Sequence, residues 1–213
     1  AILKHDADRP ESVWHAAFSS TRATTVGAIT SLALAAIDTA VWDALSRRRN
    51  TPLWKLAGGA HPSVPVYDTE GGWLHLTPDE LVDQAKATKQ RGIPGVKIKV
   101  GLPNAHSDLE RLRAVRRALG PDFHIMVDAN QSMTAAEAIR RARLFDELDL
   151  FWFEEPLLAE DVSGHERLAA STSIPIAVGE SMYSIGQFKE YLTRGAASIV
   201  QVDVARIGGI TPW

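Results

Sequence analysis

The sequence predicts an α/β fold whose parallel strands close into a barrel. Three observations carry this reading. Beyond residue 62, short apolar runs alternate with amphipathic stretches, the runs are apolar almost throughout, and an acidic residue recurs where successive runs end. Strand alternating with helix calls for crossover units and a parallel sheet. Near-continuous apolar strands suit a sheet covered on both faces. The acids choose between an open and a closed sheet. A barrel gathers all its strand ends on one face, whereas an open sheet spreads them along an edge. At 213 residues the chain falls short of the roughly 250 of a full eight-unit barrel.

The first 60 residues read as helices. Asp8-Arg9-Pro10-Glu11 has the form of a helix start, with a capping candidate, then proline, then an acid. Thr24 to Arg49 reads as one long buried helix, with Ile29, Leu32, Ala33, Ala36, Ile37, Ala40, Val41, Ala44 and Leu45 at helical spacing. Asp38 and Asp43 interrupt its apolar run, which argues against a membrane span. Arg47-Arg48-Arg49 suits the negative end of its dipole. Six strands follow: Val64–Tyr67, Val96–Val100, His124–Val127, Leu150–Phe153, Ile174–Val178 and Ile199–Val202. The helices between them are Asp79–Arg91, Asp108–Leu119, Ala135–Leu148, Val162–Ser171 and Ile185–Thr193. This divides the chain into a helical part, 1–60, and six strand–helix units, 61–213. Gly71-Gly72 and Gly208-Gly209 lack the third glycine of a dinucleotide fingerprint, and there is no Walker loop or nucleophile elbow.

A net charge of −3 gives no general attraction to nucleic acid or anionic membrane. The absence of cysteine excludes disulfides, thiolate metal sites and a cysteine nucleophile, and fits a reducing cytoplasm.

The chemistry lies in what ends the strands: Lys97-Ile98-Lys99, Asp128-Ala129-Asn130, Glu154-Glu155-Pro156, Gly179-Glu180 and Asp203. Asp128 to Glu154 and Glu154 to Glu180 are each 26 residues, one strand–helix unit. Converging carboxylates raise one another's pKa unless a cation compensates. With no histidine or cysteine at ligand spacing, the all-oxygen set Asp128, Glu154 and Glu180 favours a hard divalent ion, Mg²⁺, and would also accept Mn²⁺. Lys97 and Lys99, two apart on a strand, point to one face, the barrel interior. One of them can serve as a base and the other can bind a substrate anion.

Together, Lys97-x-Lys99, Val127-Asp128-Ala129-Asn130, Phe153-Glu154-Glu155-Pro156, Gly179-Glu180 and Asp203-Val204-Ala205-Arg206-Ile207-Gly208-Gly209 resemble the enolase superfamily. Ala36 to Asp43 resembles the helix joining that family's capping domain to its barrel. The resemblance implies a (β/α) barrel of the enolase type, a modified TIM barrel that is incomplete here, with a remnant of an α+β N-terminal capping domain. It also implies α-proton abstraction from a carboxylate through an enediolate stabilised by Mg²⁺. Lys99 would be the base and Lys97 the partner of the substrate carboxylate, with Asn130 and Arg206 as polar support for the substrate. Asp203 stands where members resembling mandelate racemase carry an aspartate that orients a histidine on the next strand. The run Tyr67 to His75, with Gly101-Leu102-Pro103-Asn104, is similar to galactarate/talarate dehydratases. The expected reaction is then dehydration of an acid sugar to a 2-keto-3-deoxy acid sugar in a homo-oligomeric enzyme. Racemisation of a 2-hydroxy acid is the alternative, and a non-catalytic metal-binding scaffold is a reading of another class. None of the seven histidines follows Asp203, so the family pattern places the missing histidine and two further barrel units beyond residue 213.

Overall fold

The computed structural model describes residues 2–24 and 27–213. Residues 25 and 26, inside the expected long helix, lie outside the described residues. The chain forms two compact units. One contains residues 1–64, 179–189 and 201–213; the other contains 65–178 and 190–200.

In the first unit, α1 (Pro10–Thr21) packs on α2 (Ala28–Arg48), which leads to the single turn α3 (Leu53–Leu56). Pro10 opens α1, where its missing N–H costs nothing, but the N-cap is Arg9 and no side chain caps the helix, Asp8 included. The expectation that α2 is buried along its apolar positions is corrected. Ile29, Leu32, Ala33, Ala36 and Ala40 are exposed, and the buried face is Ser31, Leu34, Ala35, Asp38 and Leu45. Two polar residues set that face. Ser31 Oγ donates to the Tyr183 carbonyl at 3.1 Å. The Asp38 carboxylate, 1% exposed, accepts from the Thr211 amide at 2.8 Å and from its hydroxyl at 2.7 Å. By length and composition α2 could cross a membrane, yet its central aspartate is bound within the unit. Gly209, at φ 121°, passes so close that a Cβ would stand 2.4 Å from Asp38 Oδ2. Only glycine combines that conformation with that approach.

The second unit holds five parallel strands in sequential order: β1 (Gly95–Lys99), β2 (His124–Asp128), β3 (Trp152–Glu154), β4 (Ile176–Val178) and β5 (Ile199–Val200). Between them run α4 (Pro78–Gln90), which precedes β1, then α5 (Ala105–Leu119), α6 (Ala135–Phe145), α7 (Val162–Ala169) and α8 (Ile185–Thr193), the last of which begins in the first unit. Thr77 and Glu80 form a capping box at the start of α4, and Asn104, Thr134 and Asp161 cap α5, α6 and α7. The cores of β1 to β4 are buried, with Ile98, Ile125, Val127, Phe153, Ile176 and Ala177 at 0–1% exposure, whereas Val200 of β5 is exposed. The expected strand Val64–Tyr67 is not formed. Pro65 has no N–H to give a ladder, Val64 and Val66 are exposed, and the backbone next to the segment meets the sheet at an isolated bridge from Asp68 to Val96.

Behind the sheet, His165 on α7 is fully buried. Its Nδ1 lies 3.0 Å from the Asp161 carbonyl and 3.0 Å from the Tyr191 hydroxyl, which itself donates to the Ala159 carbonyl at 2.9 Å. These partners assign the proton to Nδ1 and leave Nε2 buried without a partner. Burial holds the imidazole's pKa below its ordinary value, against the weaker pull of Asp161. The folded state therefore keeps His165 neutral while the unfolded chain protonates below about pH 6.5. Stability is expected to be intact above that pH and to fall by up to about 1.4 kcal/mol per pH unit as pH drops towards the depressed folded value. Urea midpoints between pH 7.5 and 5.5 measure this. His165→Gln is expected to flatten the slope, and an unchanged slope would assign it to other groups.

Candidate active site

The parallel register places the strand-end residues in rows. Lys97 pairs with Met126, and Met126 with Trp152; Lys99 pairs with Asp128, and Asp128 with Glu154. Alternation along each strand turns Lys97, Lys99, Asp128 and Glu154 to the same face. Both carboxylates are buried, and a ligand oxygen of Asp128 lies within 4.8 Å of one of Glu154.

The two lysines answer these charges. Lys97 Nζ donates to Glu154 Oε1 at 2.7 Å and lies 3.2 Å from Asp128 Oδ2. Lys99 Nζ donates to Asp128 Oδ2 and to Asn130 Oδ1, both at 2.6 Å. Asp128 Oδ1 accepts the Asn130 amide at 2.9 Å. Burial alone would lower the pKa of Lys97, but Glu154 and Asp128 outweigh it and hold the ammonium above its ordinary range. The side chain of Lys99 is 20% exposed and that of Lys97 10%, so Lys99 is the more approachable of the two. The ring of Trp73 stands 5.9 Å from the Lys99 ammonium.

Local backbone holds this end of the sheet in shape. Asn130, Gln131 and Glu155, just past β2 and β3, have φ of 43°, 62° and 39°. Left-handed conformations in residues other than glycine are uncommon and cluster at functional turns. Gly72 lies flat against β1: a Cβ there would sit 2.0 Å from the Lys97 carbonyl, and the Gly72 carbonyl accepts the Lys99 amide at 2.7 Å.

Beneath the loops is a buried ionic network that sequence reasoning missed. Asp108 accepts the amides of Gly101 and Leu102 at 2.8 and 3.1 Å and pairs with Arg111 and Arg141. Arg111 donates to the carbonyls of Trp73, Leu76 and Lys99, and Arg141 to that of Leu102. The only hint in sequence is Asp108 and Arg111 three apart on an otherwise amphipathic helix. That pattern is usually a solvated surface pair.

The other expected residues lie in the first unit. Glu180 follows β4 by two residues and so leaves the same end of its strand as Asp128 and Glu154 leave theirs. Asp203 Oδ1 accepts the amides of Ala205 at 2.7 Å and Arg206 at 3.0 Å and so shapes its own turn. Arg206 donates to the Tyr183 hydroxyl at 3.2 Å, and that bond helps raise its pKa. The donor chemistry of the strand ends suits a hard divalent cation. It consists of carboxylates, those of Asp128 and Glu154 buried, with no imidazole or thiolate beside them among the described residues.

Comparison with known proteins gives the family. Residues 80–213 match the family described as enolase C-terminal domain-like. Residues 1–58 match the mandelate racemase/muconate lactonizing enzyme N-terminal domain. The chain is 43% identical over 181 residues to L-talarate/galactarate dehydratase of Salmonella typhimurium, covering 85% of this chain and 46% of the relative. It is 37% identical over 212 residues to 3,6-anhydro-alpha-L-galactonate cycloisomerase of Streptomyces coelicolor, covering 100% and 58%. Among solved structures, L-talarate dehydratase from Polaromonas sp. JS666, complexed with Mg and L-glucarate, superposes with a TM-score of 0.90 at 38% identity, covering 98% of this chain and 58% of that one. The chain thus spans about half the length of the curated relatives it matches. The lysines and acids at its strand ends stand in a chain that belongs to the enolase superfamily, within its mandelate racemase/muconate lactonizing enzyme family.

Proposed function

We propose that this chain carries the proton-abstracting half of a Mg²⁺-dependent acid-sugar dehydratase. The observation behind this is the row Lys99–Asp128–Glu154, in which an approachable lysine stands beside two buried carboxylates at adjoining strand ends. Asp128, Glu154 and Glu180 would hold the cation. With Lys99 neutral, as a base is before it takes a proton, three carboxylates and the Lys97 ammonium sum to −2, which a divalent ion offsets. When bound, the ion supplies Lewis-acid stabilisation of the negative charge that develops on that carboxylate.

The chain's own residues do the rest. Lys99 Nζ takes the proton from the carbon next to the carboxylate, with Asn130 and Asp128 fixing its direction. Lys97 stays protonated and adds positive charge beside the carboxylate oxygens. Asp203 would orient the acid that protonates the departing β-hydroxyl, which leaves as water; the resulting enol tautomerises to the 2-keto-3-deoxy acid. Arg206, held by Tyr183, would bind a distal polar group of the sugar. The cytoplasm and a homo-oligomer remain part of this proposal.

The test is a panel of six-carbon acid sugars incubated with the intact protein and Mg²⁺ in D₂O. Formation of a 2-keto-3-deoxy acid, abolished by EDTA and restored by Mg²⁺, is the expected outcome. Deuterium at the α-carbon without loss of water would replace dehydration with racemisation. No exchange and no product would overturn proton abstraction altogether.

A further inference from the structure

We propose that Trp152 is a positioning residue for Glu154, its indole N–H fixing the plane in which that carboxylate meets a divalent cation. This rests on the metal-binding reading above and assigns a residue that reading does not use. Trp152 and Glu154 begin and end β3, so the two-residue repeat that aligns the lysines also puts this pair on one face. Trp152 is 7% exposed, and its Nε1 donates to Glu154 Oε2 at 3.0 Å. Lys97 holds the other oxygen, Oε1, at 2.7 Å.

An indole N–H is a donor only, and when buried it requires an acceptor. Met126 and Ala177 pack around Trp152, with Tyr67 edge-on at 5.1 Å, and Glu154 is the acceptor in its reach. The terminal torsion of a glutamate is otherwise broad and roughly two-fold. The N–H restricts it without bringing charge, whereas Lys97 brings charge that competes with a cation. Trp152 therefore supplies direction and leaves the carboxylate's negative charge available. Phenylalanine would fill much of the same space and supply none of the direction. Partners that orient metal ligands in this way typically contribute 10–100-fold in metal affinity.

The test is calorimetric titration of Mg²⁺ into the intact protein, with urea midpoints recorded alongside. Wild type is compared with Trp152→Phe and with protein carrying β-(3-benzothienyl)alanine at position 152 alone, an isostere lacking the N–H. Both replacements are expected to weaken Mg²⁺ binding by about 10–100-fold, the isostere with its urea midpoint nearly unchanged. Wild-type affinity in the isostere would overturn the proposal, and a loss confined to Trp152→Phe would reduce Trp152 to packing. Failure of wild type itself to bind Mg²⁺ would instead overturn the underlying metal site.

Discussion

Lys99→Ala is expected to lower kcat by about 10²–10⁴-fold, the usual contribution of a positioned general base, and to abolish α-proton exchange in D₂O. We prefer this lysine to its neighbour on their surroundings. Lys97 is the deeper of the two and lies against both acids, at 2.7 Å from Glu154 and 3.2 Å from Asp128. Lys99 shares Asp128 but turns its remaining side to Asn130 and the face of Trp73, where its side chain stays more open. Lys99 is paired with one buried acid where Lys97 is paired with two, and it is the more open of the two lysines. Rate and exchange measured on Lys99→Ala and Lys97→Ala check this. Exchange that survives in Lys99→Ala but not in Lys97→Ala would reverse the two roles.

Asp108→Ala is expected to destabilise the second unit by about 3–5 kcal/mol, because it leaves the Arg111 guanidinium buried without its counter-charge and Arg141 with Glu137 alone. Asp108, Arg111 and Arg141 are 0%, 4% and 3% exposed. Burial pushes the Asp108 carboxyl above its ordinary value despite Gly101, Arg141 and Arg111, and burial pushes Arg111 below its own. Each charge is thus held at a cost, which is the signature of an ion pair whose removal in part is far worse than its removal whole. Replacing Asp108, Arg111 and Arg141 together by apolar residues of similar volume is expected to recover much of the loss. Denaturant unfolding of the single and triple variants decides it, and a loss below about 1 kcal/mol for Asp108→Ala, the range of an exposed pair, would contradict the burial argument.

The candidate site was more legible in the sequence than its supports. Strand ends are marked by a change from apolar to charged residues, so Lys97, Lys99, Asp128 and Glu154 could be placed on one face from spacing alone. In the structure Lys99 pairs with Asp128 and Asp128 with Glu154, while Lys97, two residues earlier on β1, pairs with Met126. The strand at Val64–Tyr67 was misread because β-branched residues were weighed above Pro65, which cannot donate to a ladder. The buried face of α2 was misread for another reason. Its residues are apolar nearly all round, so periodicity carries little directional information, and the choice of face falls to Ser31 and Asp38. Asp108, Arg111 and Arg141, drawn from two helices, and Trp152 were invisible as functional candidates. Most partners of Asp108, Arg111 and Arg141 are groups that only the folded chain brings near, and Trp152, two residues from its partner Glu154, reads in sequence as one more apolar strand residue.

Arg111 has one more consequence. It grips residues 73–76 and the end of β1 through the carbonyls of Trp73, Leu76 and Lys99, and through no side chain of that loop. A carbonyl is the same whatever residue bears it. Trp73, Leu74 and His75 can therefore be exchanged for other residues while the backbone beneath them stays anchored, although exchange of Trp73 removes the ring that faces the Lys99 ammonium. The segment is built as an interchangeable tip on a fixed mount, and libraries randomised at these three positions should yield folded proteins more often than libraries randomised at Gly72 or Arg111.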